Sequence, residues 1–282
     1  MKSFTLGFSP CPNDTFIFDA LVNNKIDTGD FKFKVQLEDV ETLNEMAKKE
    51  ILDFTKISYG VLPLVAEKYK VFNSGSALGK GVGPLLISQK PVDAADVKKY
   101  TIAIPGENTT AHLLFSLAFP NANNKVFKRY DEIESAVLNS ESTLGVIIHE
   151  NRFTYMEKGL HKILDLGNFW EEKTSFPIPL GGIVGKRSID EKTMMKVDAL
   201  IKESMEYAFE NYPLITDYVK EHSQEMEEEV MKKHIDLYVN KFSINLGSEG
   251  RNAIQQFMEI YKRIHENKSK TFADEELFLE EE

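Results

Sequence analysis

Short apolar runs alternate with segments of helical spacing along the first part of the chain. Residues 4–8 and 31–38 alternate like half-buried strands, and residues 53–57 are a third strand candidate. Each is followed by a helical pattern, at residues 15–21, 40–49 and 59–69. Strands that alternate with helices in this way predict a parallel sheet with helices on both faces.

The chain continues with a glycine-rich stretch at residues 79–84, a strand at 85–88 and a break at 89–91. A second unit with the same alternation of strands and helices follows this break. Its strands are predicted at residues 100–104, 125–127 and 143–149, and its helices at 110–119 and 131–138. The chain then passes through the proline- and glycine-rich residues 176–182 into another apolar strand. We therefore predict an α/β protein of two lobes, with a larger discontinuous domain (1–89 and 181–282) and a smaller inserted domain (90–180).

The last third of the chain has mainly helical patterns. A buried stripe over residues 197–209 follows Ser188 and Glu191, whose spacing predicts a capping box. A second stripe covers residues 253–264, and both helices are expected to pack on the larger domain. The acidic residues 274–282 predict a solvated tail, although docking stays open through three apolar residues, Leu277, Phe278 and Leu279.

Composition narrows the class of partner. The 282 residues, 42% of them hydrophobic, suffice for one large or two ordinary domains. A net charge of -11 argues against nucleic acid and anionic membranes, since both attract basic surfaces. The single cysteine, Cys11, excludes an intramolecular disulfide and fits a reducing compartment. Because no signal-peptide pattern and no apolar run of ~20 residues occurs, we expect a cytoplasmic protein.

Turn-forming residues are densest in the decamer GFSPCPNDTF, which starts at Gly7. Pro10 and Pro12 end the preceding strand, and the side chain of Asn13 or Asp14 is expected to cap the following helix. Open amides at such a helix start suit an anion or a polar ligand. An ordinary strand-to-helix turn has the same features, so the decamer alone does not establish a pocket.

Two further strand-to-helix turns repeat this chemistry. The turn PGENTT offers Thr109 or Asn108 as a cap, with hydroxyls and free amides that suit a carboxylate, and plain helix capping is the alternative. The turn TKISYG offers Ser58 as a cap and Lys56 as the nearby cation. The side chain of Lys56 is equally expected to be exposed and unengaged.

His149 is the histidine best placed for acid–base chemistry, because it ends an apolar strand. Strand ends form the ligand crevice of a parallel α/β sheet, and a histidine there can accept a proton near neutral pH. The alternative is a strand-end histidine bonded to a neighbouring carbonyl. His112 lies on a predicted helix and could face either way, and His161 lies in a surface connection. Charged helical stretches hold the other three, His222, His234 and His265.

The chain lacks the residue spacings that are typical of metal sites, serine nucleophiles and nucleotide-binding loops. The chain has no His-x-x-x-His pair, cysteine pair or Gly-x-Ser-x-Gly elbow, so we predict no metal site and no serine nucleophile. The glycines at 79–83 do not form a nucleotide-binding loop, because the lysine precedes Gly81 and no Ser or Thr follows it. We predict a loop between the lobes there. Cys11 has no adjacent base and is predicted to be a small buried residue.

Four segments together resemble one enzyme family. GFSPCPNDTF at Gly7, KIS at Lys56, NTTA at Asn108 and GVIIHENRFTY at Gly145 occur in this order along the chain. In this respect the chain resembles the 1,4-dihydroxy-6-naphthoate synthase family of the futalosine route to menaquinone, and the similarity spans nearly the whole chain. The family usually has a glycine after its His-Glu pair, where this chain has Asn151.

The resemblance implies a fold and a reaction. The implied fold is the two-lobed type II fold of periplasmic solute-binding proteins, with extra C-terminal helices and the substrate between the lobes. The implied reaction converts cyclic dehypoxanthine futalosine to 1,4-dihydroxy-6-naphthoate, as a carbon–carbon lyase with neither metal nor nucleotide cofactor. His149 would be the proton acceptor. The implied substrate contacts are Lys56, Ile57, Ser58, Thr109 and Thr110, and the site also includes two residues of the decamer, Asn13 and Asp14.

Two other functions stay open. A non-catalytic binding protein for a small carboxylate would share this design, although such receptors work outside the cytoplasm. The related enzyme chorismate dehydratase is also two-lobed, although the decamer favours the synthase. The expected partner is a small carboxylate rather than nucleic acid or membrane, and the sequence leaves the oligomeric state open.

Overall fold

The described part of the chain forms two mixed β-sheets covered by helices. The computed structural model describes residues 1–223, 227–265 and 274–280. The strands are β1 (Lys2–Phe8), β2 (Phe31–Leu37), β3 (Phe54–Ser58), β4 (Tyr69–Val71), β5 (Ala77–Gly79), β6 (Leu85–Ser88), β7 (Ile102–Ile104), β8 (Lys125–Phe127), β9 (Leu144–Ile147), β10 (His161–Asp165) and β11 (Ile178–Lys186). The predicted α/β class is confirmed.

The first sheet has the strand order β2-β1-β3-β11-β4, and β5 pairs with β11. β1 runs parallel to β2 and β3, as the alternation of strands and helices predicts. β11 runs antiparallel to β3, β4 and β5, so the prediction of a parallel sheet is wrong for this part. The reason is that a strand from much later in the chain inserts beside β3, which the local pattern cannot indicate.

The second sheet has the strand order β10-β6-β9-β7-β8. β7 runs parallel to β8 and β9, whereas β6 runs antiparallel to β9 and β10. The chain passes from the first sheet to the second between β5 and β6, through the glycine-rich residues 80–84, and it returns at β11. The domain boundaries after residues 89 and 180 stay a prediction.

The helices are α1 (Pro12–Val22), α2 (Val40–Lys48), α3 (Leu62–Val65), α4 (Thr110–Ala118), α5 (Ile133–Leu138), α6 (Asn151–Thr154), α7 (Leu166–Thr174), α8 (Glu191–Asn211), α9 (Asp217–His222), α10 (Glu228–Tyr238), α11 (Lys241–Ile244), α12 (Gly247–Ile264) and α13 (Asp274–Leu277). The prediction of one helix over residues 59–69 is wrong, because only the four residues of α3 are helical and Tyr69 begins β4. No helix among the described residues is both long and apolar enough to cross a membrane.

The predicted stripe on α8 is part of a core around the first sheet. Val197 and Ile201 of this helix are fully buried in one cluster with Leu6 and Phe8 of β1 and Phe18 of α1. Burial of side chains of this size stabilises the fold by roughly 1.5–3 kcal/mol each. The stripe is therefore packing surface, as the helical spacing predicts.

Asp190 caps the N-terminus of α8. Its carboxylate accepts hydrogen bonds from the amide and the hydroxyl of Thr193, at 3.0 and 2.8 Å. The capping box predicted from Ser188 and Glu191 is wrong, because the chain still turns at Ser188 and Glu191 is already the first helical residue.

Asp190→Ala is expected to lower the free energy of unfolding by about 1 kcal/mol, because two donors of the first turn lose their acceptor. Ser188→Ala should change it by less than about 0.5 kcal/mol, since this side chain is exposed. Urea denaturation of both variants measures the difference. Equal losses would contradict the assignment of the cap to Asp190.

The apolar residues near the C-terminus are docked. Leu277, Phe278 and Leu279 are at most 1% exposed. Phe278 forms a parallel bridge with Val71, and the amide of Leu279 donates to the carbonyl of Val71 at 2.8 Å. These contacts cover the edge of β4. The prediction of a solvated tail is therefore wrong for residues 277–279, while residues 281–282 lie outside the described residues.

Candidate functional site

A cleft lies between the two sheets, where β1, β3 and β9 end. The first sheet contributes β3 and β11 to its wall, and the second sheet contributes the start of α4 and the residues after β9. All eight residues proposed from the sequence line this cleft, namely Asn13, Asp14, Lys56, Ile57, Ser58, Thr109, Thr110 and His149. Their roles in binding and catalysis stay predictions.

Asn13 and Asp14 reach the cleft from the first turn of α1. The helix begins at Pro12, because the fixed φ of proline suits a first helical position, and Cys11 occupies the N-cap position without a capping hydrogen bond from its side chain. The prediction that Asn13 or Asp14 caps this helix is therefore wrong. Asp14 instead accepts hydrogen bonds from the amide and the hydroxyl of Ser9, at 3.2 and 2.8 Å.

Lys56 and Asp14 form a buried ion pair in the cleft wall. The distance from Lys56 Nζ to Asp14 Oδ1 is 2.9 Å, and the two side chains are 6% and 2% exposed. Lys56 Nζ also donates to the carbonyl oxygen of Gly75 at 2.9 Å. The expectation of an exposed, unengaged lysine is therefore wrong. Burial of both charges is tolerated because each meets an opposite charge and a further hydrogen-bond partner.

Ser58 and Thr110 join the two sheets across the cleft. Ser58 Oγ accepts the amide N–H of Thr110 at 2.7 Å and donates to Thr110 Oγ1 at 3.0 Å. Thr110 Oγ1 in turn donates to the carbonyl oxygen of Leu180 at 2.9 Å. Gly60 permits this approach, since a Cβ there would lie 2.3 Å from the carbonyl carbon of Thr109. Ser58 does not cap the helix that follows it, because α3 begins only at Leu62 and has Val61 at its N-cap position.

Thr109 caps α4, as predicted. Its Oγ1 accepts the amide N–H of His112 at 3.2 Å and donates to the carbonyl of Gly106 at 3.1 Å. The next cleft-lining residue is Ala111, whose amide donates to no group among the residues that the structure describes. The start of α4 therefore presents an available N–H and the positive end of a helix dipole at the cleft, a combination that suits an anion.

Two residues of α2 hold these turns in place and had no signal in the sequence. Asn44 Oδ1 accepts the amide N–H of Ser58 at 2.9 Å, and its Nδ2 donates to the carbonyl of Asn108 at 3.1 Å. Glu41 Oε1 accepts the amide N–H of Asn108 at 3.1 Å. Both residues lie in a polar helix pattern, where a solvent-facing position is the usual expectation.

His149 lies on the wall formed by the second sheet, two residues beyond β9. Its φ of 57° lies in the left-handed region, which residues other than glycine seldom occupy and which occurs often at functional sites. The edge of its ring meets Tyr130, with centroids 4.9 Å apart and planes at 67°. Its Nε2 is buried without a hydrogen-bond partner among the described residues, so no carbonyl satisfies it there.

Burial lowers the pKa of His149 from 6.5 to about 4, because the imidazolium form loses its contact with water. The negative charge of Asp14 opposes this shift, and the positive charge of Lys56 adds to it. The ring is therefore neutral at pH 7, which is the state that can accept a proton.

Stability should depend on the titration of His149. Because its pKa is lower in the folded than in the unfolded chain, the unfolded chain binds more protons between pH 4 and pH 6.5, and the free energy of unfolding falls as the pH falls through this window. His149→Asn does not titrate there and tolerates left-handed backbone. We expect the variant to lose less stability than the wild type between pH 7 and pH 4 in urea denaturation. Parallel losses would contradict the lowered pKa.

His234 contacts two cleft-lining residues, His149 and Asn13, from behind the cleft wall. Its ring is fully buried and stacks on His149, with centroids 6.1 Å apart and planes at 11°. The available signal was helical spacing, because the buried residues of α10 include Met231, His234, Ile235 and Tyr238. The charged residues between them conceal this stripe.

One group among the described residues has the chemistry of a metal site. Ligand atoms of Cys11, His149 and Glu150 all lie within 4.8 Å of one another. Burial, followed by the negative charge of Glu150, raises the pKa of the Cys11 thiol well above its usual value, so the thiol keeps its proton at neutral pH. The prediction of a buried cysteine is confirmed, and the prediction that the site uses no metal stays a prediction.

The chain is similar to an enzyme of known name. It is 42% identical over 254 residues to the 1,4-dihydroxy-6-naphthoate synthase of Thermus thermophilus. The aligned region covers 90% of this chain and 92% of that relative. A family model described as menaquinone biosynthesis matches residues 4–263.

Two solved structures are similar in fold. Protein AF1704 from Archaeoglobus fulgidus has a TM-score of 0.88 and 30% identity, covering 93% of this chain and 97% of that chain. The periplasmic aliphatic sulphonate-binding protein SsuA from Escherichia coli has a TM-score of 0.69 at 11% identity, covering 99% and 92% of the two chains. The predicted periplasmic-binding-protein-like fold is thereby confirmed. The family match over residues 4–263, together with the 42% identity to the Thermus thermophilus synthase, shows that the chain belongs to the menaquinone biosynthesis family.

Proposed function

We propose that this protein is a 1,4-dihydroxy-6-naphthoate synthase, which converts cyclic dehypoxanthine futalosine to 1,4-dihydroxy-6-naphthoate. The observation that carries the proposal is the position of a neutral histidine, His149, in one cleft with the hydroxyls of Ser58 and Thr110. The 42% identity to a synthase of that name supports the choice of reaction. In this proposal the enzyme is a carbon–carbon lyase that acts in the cytoplasm without a metal or nucleotide cofactor.

The substrate carboxylate binds at the start of α4. The hydroxyl of Thr110 donates to the carbonyl of Leu180, and it can rotate toward a carboxylate oxygen when a ligand enters. The amide of Ala111 supplies a second donor, and the hydroxyl of Ser58 supplies a third. Lys56 adds a positive charge that its pairing with Asp14 partly cancels. Local donors therefore hold the anion against the overall charge of -11.

His149 removes a proton from the carbocycle of the bound substrate. The electron pair of the broken C–H bond forms a new double bond of the aromatic ring. The carbon–carbon bond to the sugar-derived fragment breaks with its electron pair on that fragment, which takes up a proton from the imidazolium or from solvent. General base catalysis of this kind contributes ~10² to 10⁴ in rate. The carboxylate of Asp14 favours the imidazolium that results, since its charge raises the pKa of His149. Enclosure of the substrate between the two sheets excludes water and orients the reacting bond.

Incubation of the purified protein with cyclic dehypoxanthine futalosine tests the proposal, with 1,4-dihydroxy-6-naphthoate measured by liquid chromatography and mass spectrometry. We expect product without added metal, and equally in the presence of a chelator. Dehydration of chorismate instead would assign the protein to the related dehydratase. Binding of the substrate in calorimetry without turnover would assign it to the non-catalytic carboxylate-binding proteins.

A further inference from the structure

We propose that His234 is a positioning residue of this site. As a neutral ring with its proton on Nε2, it holds His149 and the pair Asp14–Lys56 in place. The inference rests on the proposed role of His149 as the base, and it goes beyond it by assigning a role to a second, inaccessible histidine.

The hydrogen-bond chain runs from His234 to Lys56 through buried side chains. His234 Nε2 lies 2.9 Å from Asn13 Oδ1, and Asn13 Nδ2 donates to Asp14 Oδ1 at 2.8 Å. The same Asp14 oxygen lies 2.9 Å from Lys56 Nζ. Asn13 therefore links the buried face of α10 to the ion pair in the cleft wall.

The chain fixes which nitrogen of His234 carries the proton. The ionised carboxylate of Asp14 can only accept, so the atom of Asn13 that faces it must be the amide nitrogen. The oxygen of Asn13 then faces His234, and this oxygen also can only accept. His234 must therefore donate from Nε2, which leaves the lone pair of its neutral ring on Nδ1.

The surroundings of His234 keep the ring uncharged. Its Nδ1 has no hydrogen-bond partner among the described residues and lies 3.9 Å from Glu150 Oε2. Tyr238 lies on the same helix, with ring centroids 4.6 Å apart. Burial lowers the pKa of His234 well below its usual value, and the nearby His149 lowers it further. A neutral neighbour matters because a charged His234 would repel the positive charge that His149 acquires in the reaction.

The ring contact supports His149 directly. His149 contacts the ring of Tyr130 edge-on and stacks on the ring of His234, and its backbone has a left-handed φ of 57°. Such a backbone persists only when its surroundings hold it. Loss of His234 would therefore release the ring of His149 and the side chain of Asn13 together.

Two substitutions separate positioning from simple packing. His234→Leu removes both the donor and the aromatic ring, and His234→Gln keeps an N–H near the position of Nε2. We expect His234→Leu to lower kcat for 1,4-dihydroxy-6-naphthoate formation up to ~100-fold, with a smaller change in KM, because a misplaced base costs rate rather than binding. His234→Gln should restore most of kcat. His222→Gln is the matched control, since among the described residues His222 hydrogen-bonds to the carbonyl of Tyr218 in its own helix.

Nitrogen-15 NMR of the histidine rings measures the proton assignment without any turnover. We expect the wild-type spectrum to contain a neutral ring protonated at Nε2 that disappears in His234→Gln and stays in His222→Gln. An Nδ1-protonated or charged His234, or wild-type kcat in a folded His234→Leu, would overturn the inference. If His234→Leu does not fold, the NMR assignment and the kcat of His234→Gln still decide it. A wild-type protein without synthase activity would refute the proposed function. The NMR experiment would still test the protonation of His234, because it does not depend on turnover.

Discussion

His149→Ala should abolish measurable formation of 1,4-dihydroxy-6-naphthoate, with a loss of at least the ~10² to 10⁴ that a general base contributes. The ring is neutral at pH 7, lies in the cleft and has a buried Nε2 without a partner among the described residues. Alanine supplies no proton acceptor, and a solvent molecule is a weaker and less well-oriented base. The measurement is kcat with cyclic dehypoxanthine futalosine at saturating concentration.

The control for this experiment must separate chemistry from folding. Alanine in a left-handed conformation costs roughly 1–2 kcal/mol, whereas asparagine tolerates it, so His149→Asn should keep the fold and still lack the base. His161→Ala removes an exposed histidine at the start of β10 and should retain wild-type turnover. Near wild-type kcat in both His149 variants would remove this residue from the reaction.

The second large effect is expected from the buried pair Lys56–Asp14. Lys56→Met should lower the free energy of unfolding by about 3–5 kcal/mol at pH 7, because it leaves the carboxylate of Asp14 buried without its counter-charge. The hydrogen bonds from Ser9 and Asn13 to Asp14 remain and place the loss toward the lower end of that range. Urea denaturation measures the loss, and substrate affinity should fall with it.

A double variant and a surface pair test the cause. Asp14→Asn combined with Lys56→Met removes both charges and should recover much of the lost stability, as a double-mutant cycle reports. Lys241 and Glu249 form an ion pair at 2.7 Å with side chains 70% and 49% exposed, so Lys241→Met should cost no more than about 1 kcal/mol. A loss no larger for Lys56→Met than for Lys241→Met would contradict the buried pair.

The turns that approach the cleft could be predicted from the sequence because their chemistry is local. Thr109 caps α4 by accepting the amide N–H of His112, three residues later in the chain. Helical spacing alone indicates the buried stripe of α8. His149 was singled out because strand ends meet at one edge of a sheet. These inferences need no knowledge of distant partners.

Three features could not be predicted because they depend on partners far along the chain. Lys56 is engaged because Asp14 lies opposite, and His234 is buried because Asn13, from the first helix, reaches it. Leu279 docks because the edge of β4 is open to it. Such pairings follow from the three-dimensional arrangement of segments, so the local pattern does not indicate which residue is the partner. The cap of α1 failed for a local reason, since Pro12 starts that helix before Asn13.

The position of β11 has a consequence for folding during synthesis. β3 and β4 both hydrogen-bond to β11 rather than to each other. The first sheet therefore cannot be completed until residue 186 has left the ribosome. All strands of the second sheet lie within residues 85–165 and emerge earlier. A nascent chain that stops between β10 and β11 therefore holds one complete sheet beside another with unpaired edges at β3 and β4, and such edges invite aggregation until β11 arrives.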